Sequence, residues 1–183
     1  MAHREWLCGT IAARRRFLAS FAACLAIGAA GAPARASENL PPPQGIAVLV
    51  VDGGIQVTNA PHQAVFDLAL LKSLPVTRFK SMTAWTDGES QFEGVRVRDL
   101  LARLGAVGTS VVATALDDYQ ITIPIADFQD YDVILAYGMD GRPLPPDNKG
   151  PLWIMYPFSE KPALQKDFYF SRCVWQLSRL TVQ

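Results

Sequence analysis

The chain has 183 residues, with 17 basic and 17 acidic side chains, and half of its residues are hydrophobic. This composition is typical of a globular protein and excludes a disordered or fibrous chain. The balanced charge argues against nucleic-acid binding, which requires a basic surface.

The first 36 residues have the pattern of an export signal. Three arginines, Arg14 to Arg16, precede an apolar, alanine-rich run that extends to Gly31, and "APARA" provides a small-x-small pattern that fits cleavage after Ala36. The run is too short and too weakly hydrophobic for a membrane span of about 20 residues. Because "RRRFL" also fits the twin-arginine pattern, the twin-arginine and general secretory routes both stay open. We therefore expect a periplasmic protein.

Removal of this signal would leave residues 37–183, with 12 basic and 16 acidic side chains and a net charge of −4. Cys173 and His62 would be the single cysteine and the single histidine. One cysteine cannot form an intramolecular disulfide, and a zinc or copper site of the Cys/His kind needs three or four such ligands. The mildly acidic domain is expected to bind no nucleic acid, zinc or copper.

The next segments predict a strand, a hairpin and two helices. Residues 37–45 are a Pro-rich lead-in, expected to form an exposed arm before a single domain over residues 46–183. The β-branched run 46–51 predicts a strand that stops at a turn, with 55–59 as the returning strand. Apolar residues at three-to-four spacing predict amphipathic helices over 61–75 and 92–106.

The remaining segments are mostly strands. The pair at 109–116 and 119–125 flanks Asp117-Asp118 and predicts a hairpin, and residues 126–131 predict a helical turn. Further strands are predicted at 76–82, 132–141, 151–157 and 173–182. The order predicts an α+β fold, with a mixed, β-rich sheet and short helices packed outside it.

Four blocks of this sequence resemble one known family. The block "FKSMTAW" followed by "FEGVRVRDLL" is similar to the core of the oxidoreductase molybdopterin-binding domain, which has the sulfite-oxidase fold. The later blocks with the same resemblance are "LDDYQITIPIADF", "ILAYGMDGRPLPPDNKGPLWIMYP" and "VWQLSRLTV". The likeness covers about residues 46–183, and it implies a molybdopterin cofactor.

The sequence departs from this family at the residue that would bind the metal. In active members a cysteine thiolate ligates molybdenum four residues before a tryptophan, whereas Ser81 stands four residues before Trp85 here. A soft metal centre prefers thiolate, and a serine hydroxyl is far less acidic and gives a hard oxygen donor. The family's basic stretch after the Gly-Pro strand is also replaced, by "FSEKPALQKDFYFSR". A large anionic pterin needs such basic groups.

Two functions follow from the resemblance and its departures. The first is a cofactor-less binding, sensory or accessory module that holds a small molecule or docks a membrane-bound partner protein. The second is an active molybdenum-pterin oxidoreductase that transfers oxygen atoms, with Ser81 or solvent in place of the thiolate. The twin-arginine pattern favours the second, because folded export suits a preloaded cofactor, and the missing thiolate favours the first.

The predicted ligand-binding residues lie at the ends of strands and in loops. They are Ser81, Trp85, Asp87, Asp118, Tyr119 and Lys149. Four of them have a plain structural alternative: Trp85 as a core anchor, Asp87 and Asp118 as turn formers, and Lys149 as a solvated lysine. Cys173 is predicted to be a small buried hydrophobic residue within a strand. No residue is assigned a catalytic role with certainty.

Overall fold

The computed structural model describes residues 40–183, which form two β-sheets with short helices. The first sheet has the strand order β2-β1-β10-β5-β6. Its strands are β1 Ala47–Gly53, β2 Gln63–Asp67, β5 Ser110–Ala115, β6 Gln120–Pro124 and β10 Leu177–Val182. Parallel pairing of β1 with β10 joins the two ends of the described chain, with Val50 opposite Arg179.

The second sheet has the order β3-β4-β7-β8, and β9 pairs with residues 134–136 of β7, on the same edge as β8. Its strands are β3 Val76–Met82, β4 Glu89–Arg96, β7 Ile134–Met139, β8 Arg142–Pro143 and β9 Trp153–Met155. The helices are α1 Leu68–Lys72, α2 Val97–Arg103, α3 Ile125–Asp130 and α4 Asp167–Phe170, with a 3₁₀ turn at Pro162–Leu164. The α+β class predicted from the sequence is confirmed.

The predicted helix over 61–75 is wrong in its first half. Residues 63–67 form β2, and the helix is limited to α1. Ala64 and Phe66 are fully buried at a spacing of two, and Phe66 lies opposite Leu49 of β1. Pairing with β1 therefore outweighs the helical spacing of the apolar residues. The predicted returning strand at 55–59 does not form, because Gln56 and Val57 donate their N–H groups to the Leu104 carbonyl at the end of α2.

The predicted helix over 92–106 also begins as a strand. β4 runs through Arg96, and α2 follows directly. A Cβ atom at Gly94 would come within 2.2 Å of the Leu135 carbonyl oxygen, so the glycine lets β4 approach β7 closely. At the end of the chain, the strand predicted over 173–182 begins only at Leu177, and Cys173 precedes it.

The remaining strand predictions are confirmed: β3 has the predicted bounds, β1 extends beyond the predicted end to Gly53, and β5, β6, β7 and β9 are shorter than predicted. The hairpin of β5 and β6 forms across Asp117-Asp118, and α3 is the predicted helical turn. The largest fully buried side chains include Trp153, Tyr156 and Phe158, which follow one another along the segment that contains β9. Within residues 40–183 no helix has the length and apolar character needed to cross a membrane.

The export-signal prediction over residues 1–36 lies outside the described residues. The described part of the Pro-rich lead-in is largely exposed at residues 41–45 and is attached to the domain by a few contacts. Leu40 is buried, and the N–H groups of Gln44 and Gly45 each donate to the Asp67 carboxylate at 2.7 Å. Asp67 also caps α1 by accepting from the Leu70 N–H at 2.7 Å.

Asp67 predicts a loss of stability in acid. The backbone hydrogen bonds, that of Leu70 first and then those of Gly45 and Gln44, lower the pKa of its carboxyl group below the usual 3.8. A carboxyl group with a lowered pKa stabilises the fold at pH values above its usual, unfolded-state pKa. This contribution is lost as the pH falls through the lower pKa of the folded state. We expect Asp67→Asn to reduce the loss of unfolding free energy between pH 5 and pH 2 (approximate limits from the usual Asp pKa), measured by urea denaturation. The same change at exposed Asp87 should leave this loss unaltered, and an unchanged loss in Asp67→Asn would contradict the assignment.

Candidate functional site

An aromatic cluster surrounds Trp85, in the loop after β3. The Trp85 ring meets the rings of Trp153, Phe170 and Trp175 edge to face, at centroid distances of 5.9, 5.8 and 5.8 Å. A side chain of the loop holds its backbone, since the backbone N–H of Trp85 donates to the Thr83 hydroxyl at 3.1 Å. These contacts fix the indole between the second sheet and the segment that follows α4.

A cavity of 280 Å³ lies beside this cluster. Three parts of the chain form it: the loop after β3, the β5–β6 turn and the segment after α4. Its lining residues are Trp85, Ala115, Asp117, Tyr119, Phe170, Ser171, Cys173, Val174 and Trp175. Tyr119 and Trp175 are 45% and 38% exposed, so the cavity has an aromatic rim that reaches solvent.

A buried ion pair anchors the segment after α4. Arg172 donates to the Asp127 carboxylate of α3 at 2.6 Å, and the Tyr156 hydroxyl donates to the same oxygen at 2.7 Å. Burial first, and then the bond to Asp127, raises the pKa of Tyr156 far above its usual range, so the phenol remains a donor. The Tyr119 hydroxyl adds a bond from the β5–β6 turn to the Ser171 carbonyl at 3.0 Å. These contacts hold the walls of the cavity together.

Ser81 is fully buried and does not line the cavity. It lies in β3 opposite Ser90 of β4, and its hydroxyl makes a long contact of 3.4 Å with the carbonyl of its neighbour Met82. The hydroxyl therefore lies in the protein interior.

The structure brings Trp85 and Tyr119 together at the cavity, but not the other predicted residues. Asp87 is exposed in the loop after β3, and Asp118 is exposed in the β5–β6 turn with a φ of 65°. The Lys149 ammonium lies 5.5 Å from the centroid of the Trp153 ring, on the cluster but not on the cavity lining. These assignments to a binding site stay predictions.

Sequence reasoning missed several residues of the lining. Asp117 was treated as part of a turn, and the residues 170–175 were divided between a replaced basic stretch and a strand. No local sequence pattern marks the exposed Trp175 as a lining residue, because the strand predicted over 173–182 includes it. Its position depends on contacts with distant parts of the chain.

Cys173 is buried at the base of the cavity, as predicted, although outside the strand. Burial raises the pKa of its thiol far above the usual range, and its sulfur lies 3.5 Å from the Tyr169 carbonyl. The thiol is therefore protonated at neutral pH. Among residues 40–183 no group of three or more His, Cys, Asp or Glu side chains is arranged to hold a metal ion.

The two sheets and the cavity beside the end of β3 define a domain of the molybdopterin-binding oxidoreductase class. The family model described as "Oxidoreductase molybdopterin binding domain" matches residues 70–162, just over half of the chain. The chain belongs to this family. The family predicted from the sequence is therefore confirmed.

Comparison with solved structures supports the same fold. The sulfane dehydrogenase SoxCD from Paracoccus pantotrophus superimposes with a TM-score of 0.56 at 19% sequence identity. The match covers 73% of this chain but only 37% of that chain. At this identity the likeness shows a common, sulfite-oxidase-like fold. A comparison with curated proteins finds no match.

Neither Ser81 nor the residues that line the cavity fit the molybdopterin that the family normally binds. The position of the family's metal-ligating thiolate holds the buried Ser81 hydroxyl, a hard oxygen donor. A pterin phosphate needs basic partners, but in the described part of the chain no lysine or arginine lines this cavity. Arg172, next to Ser171 and Cys173, is already bound to Asp127. The donor set therefore suits neither the metal nor the phosphate.

Proposed function

We propose that this chain is a periplasmic binding module that keeps the molybdopterin-binding fold without its redox chemistry. The observation that carries the proposal is the aromatic cavity of 280 Å³, together with a fully buried serine at the position of the family's metal-ligating cysteine. Ligand pockets are typically concave and mostly apolar, with a few polar groups for orientation. The cavity has this character, and its volume lies just below the usual range of about 300–1,000 Å³.

The ligand in this proposal is a small molecule, and its binding is reported through the exposed side chains at the rim of the cavity. Tyr119 and Trp175 are exposed at the mouth of the cavity and would be covered by a ligand. A sensory or accessory role would use this change to recruit a membrane-bound partner. The export signal predicted at residues 1–36 supports the periplasmic location.

The direct test is a titration with the neutral apolar dye phenyl-naphthylamine. We expect saturable binding with a rise in dye fluorescence and a change in tryptophan emission, because Trp85 and Trp175 line the cavity. Non-saturable or absent binding would overturn the proposal. A dye that binds equally well to a variant with the cavity filled by Ala115→Trp would also overturn it.

Elemental analysis separates the proposal from an active molybdenum oxidoreductase. We expect protein purified from its own periplasm to hold far less than one molybdenum per chain and no pterin fluorescence. Ser81→Cys should not restore molybdenum, because a thiol at this position is buried and the cavity offers no basic phosphate partners. Stoichiometric molybdenum in the unaltered protein would favour the oxidoreductase, with an oxygen donor in place of the thiolate.

A further inference from the structure

The walls of the cavity are mainly the faces and edges of aromatic rings. Trp85, Phe170, Trp175 and Tyr119 all contribute. The Trp85 ring stands at 85° to Phe170 and at 86° to Trp175, so the rings form walls at right angles to one another. The face of an aromatic ring carries a partial negative charge that attracts a cation.

The charge at the cavity has the same sign as these ring faces. Asp117 lines the cavity, and one of its oxygens accepts a hydrogen bond from the Tyr119 N–H at 3.1 Å. Asp118 follows it in the same turn and is exposed. In residues 40–183 the lining includes this carboxylate but no lysine or arginine.

Two basic side chains, those of Arg172 and Lys149, are engaged elsewhere. Arg172 forms its ion pair with Asp127, with its guanidinium stacked at 5.0 Å from the Phe168 ring centroid. Lys149 contacts the Trp153 ring, which is fully buried. An anionic ligand in the cavity would meet ring faces and a carboxylate, both of which repel it. A cationic ligand would be attracted by both.

We propose that the cavity binds a small organic cation, an ammonium group that carries methyl groups. The methyl groups would pack on the aromatic rings and lose contact with water, while the positive charge meets the ring faces and Asp117. An inorganic cation of the same charge lacks the apolar surface that fills such a space. This inference rests on the proposed binding function and specifies its ligand class.

The test compares choline with neohexanol, in which a carbon atom replaces the ammonium nitrogen. The two molecules have nearly the same shape, so a difference in affinity reports the charge. Each is titrated against the complex with phenyl-naphthylamine, and dissociation constants are taken from dye displacement. We expect choline to bind about tenfold more tightly than neohexanol.

A matched pair of variants locates the charge that attracts the ligand. Asp117→Asn keeps the acceptor for the Tyr119 N–H and removes the negative charge. It should weaken choline binding about fivefold and leave neohexanol unchanged. Asp118→Asn removes the neighbouring charge, which does not line the cavity, and should have a smaller effect. Circular dichroism and dye affinity verify that both variants remain folded.

The outcomes separate the two proposals. Displacement by neohexanol as strong as that by choline, or stronger, overturns the organic-cation inference and leaves the binding function intact. Dye binding with no displacement by either molecule also overturns the inference. Failure of the dye itself to bind overturns both. An equal loss of choline affinity in the Asp117 and Asp118 variants would overturn the role of Asp117.

Discussion

The Trp85→Ala variant is expected to lose saturable dye binding, with a dissociation constant raised at least about tenfold. Trp85 supplies one wall of the cavity and contacts the rings of Phe170 and Trp175, which supply two others. Its removal therefore opens the cavity and also frees the neighbouring rings to move. We expect the free energy of unfolding to fall by about 3 kcal/mol, at the lower end of the range for Trp→Ala because the indole is only half-buried.

Two further variants show whether the loss comes from this wall. Trp85→Phe keeps a ring and should retain part of the dye affinity. Phe168→Ala removes an exposed aromatic residue that does not line the cavity and should leave dye affinity unchanged. Wild-type dye affinity in Trp85→Ala, measured under conditions in which the variant is folded, would contradict the assignment of the cavity as the binding site.

The Asp127→Ala variant is expected to destabilise the fold by about 3–5 kcal/mol. The carboxylate accepts hydrogen bonds from Arg172 and from the hydroxyl of Tyr156, and both side chains of the ion pair are largely buried, with 17% and 9% exposure for Arg172 and Asp127. Removal of the acid leaves a buried guanidinium and a buried phenol without their partner. Urea denaturation at neutral pH measures the loss.

The ion pair should also position the cavity wall at residues 170–175. Dye affinity should therefore fall in Asp127→Ala even where the variant is fully folded, whereas a purely structural role would leave it unchanged. The double variant Asp127→Ala, Arg172→Met removes both charges and should recover part of the lost stability. Arg78→Ala, which breaks the more exposed pair with Glu93, should cost at most about 1 kcal/mol. Equal costs for Asp127→Ala and Arg78→Ala would contradict the importance of burial.

The strands that the sequence predicts correctly are those whose local pattern is unambiguous. Four such runs become strands. They are the β-branched run 46–51, the alternating run that ends at Met82 and the two runs on either side of Asp117-Asp118. The failures occur where two patterns compete. Phe66 belongs to a run with helical spacing, but its pairing with β1 makes that part of the run a strand.

The candidate site shows the same division. The resemblance to the family directs attention to Trp85 and Tyr119, and both line the cavity. Trp175 was assigned to a strand, since nothing local marks the segment before Leu177 as a cavity wall. Its position depends on Arg172, whose partner Asp127 lies 45 residues earlier in the chain. Contacts of this range cannot be read from a single sequence.

The sequence alone determined the identity of the donor atom at position 81, because a serine oxygen is a serine oxygen in any fold. It also determined the family, through motifs in a common order. Only the tertiary structure decided that the Ser81 hydroxyl is buried and that Trp85, Asp117 and Trp175 meet around one cavity. The physical reason is that burial and cavities arise from packing between segments distant in the chain, whereas chemical identity and short motifs are local.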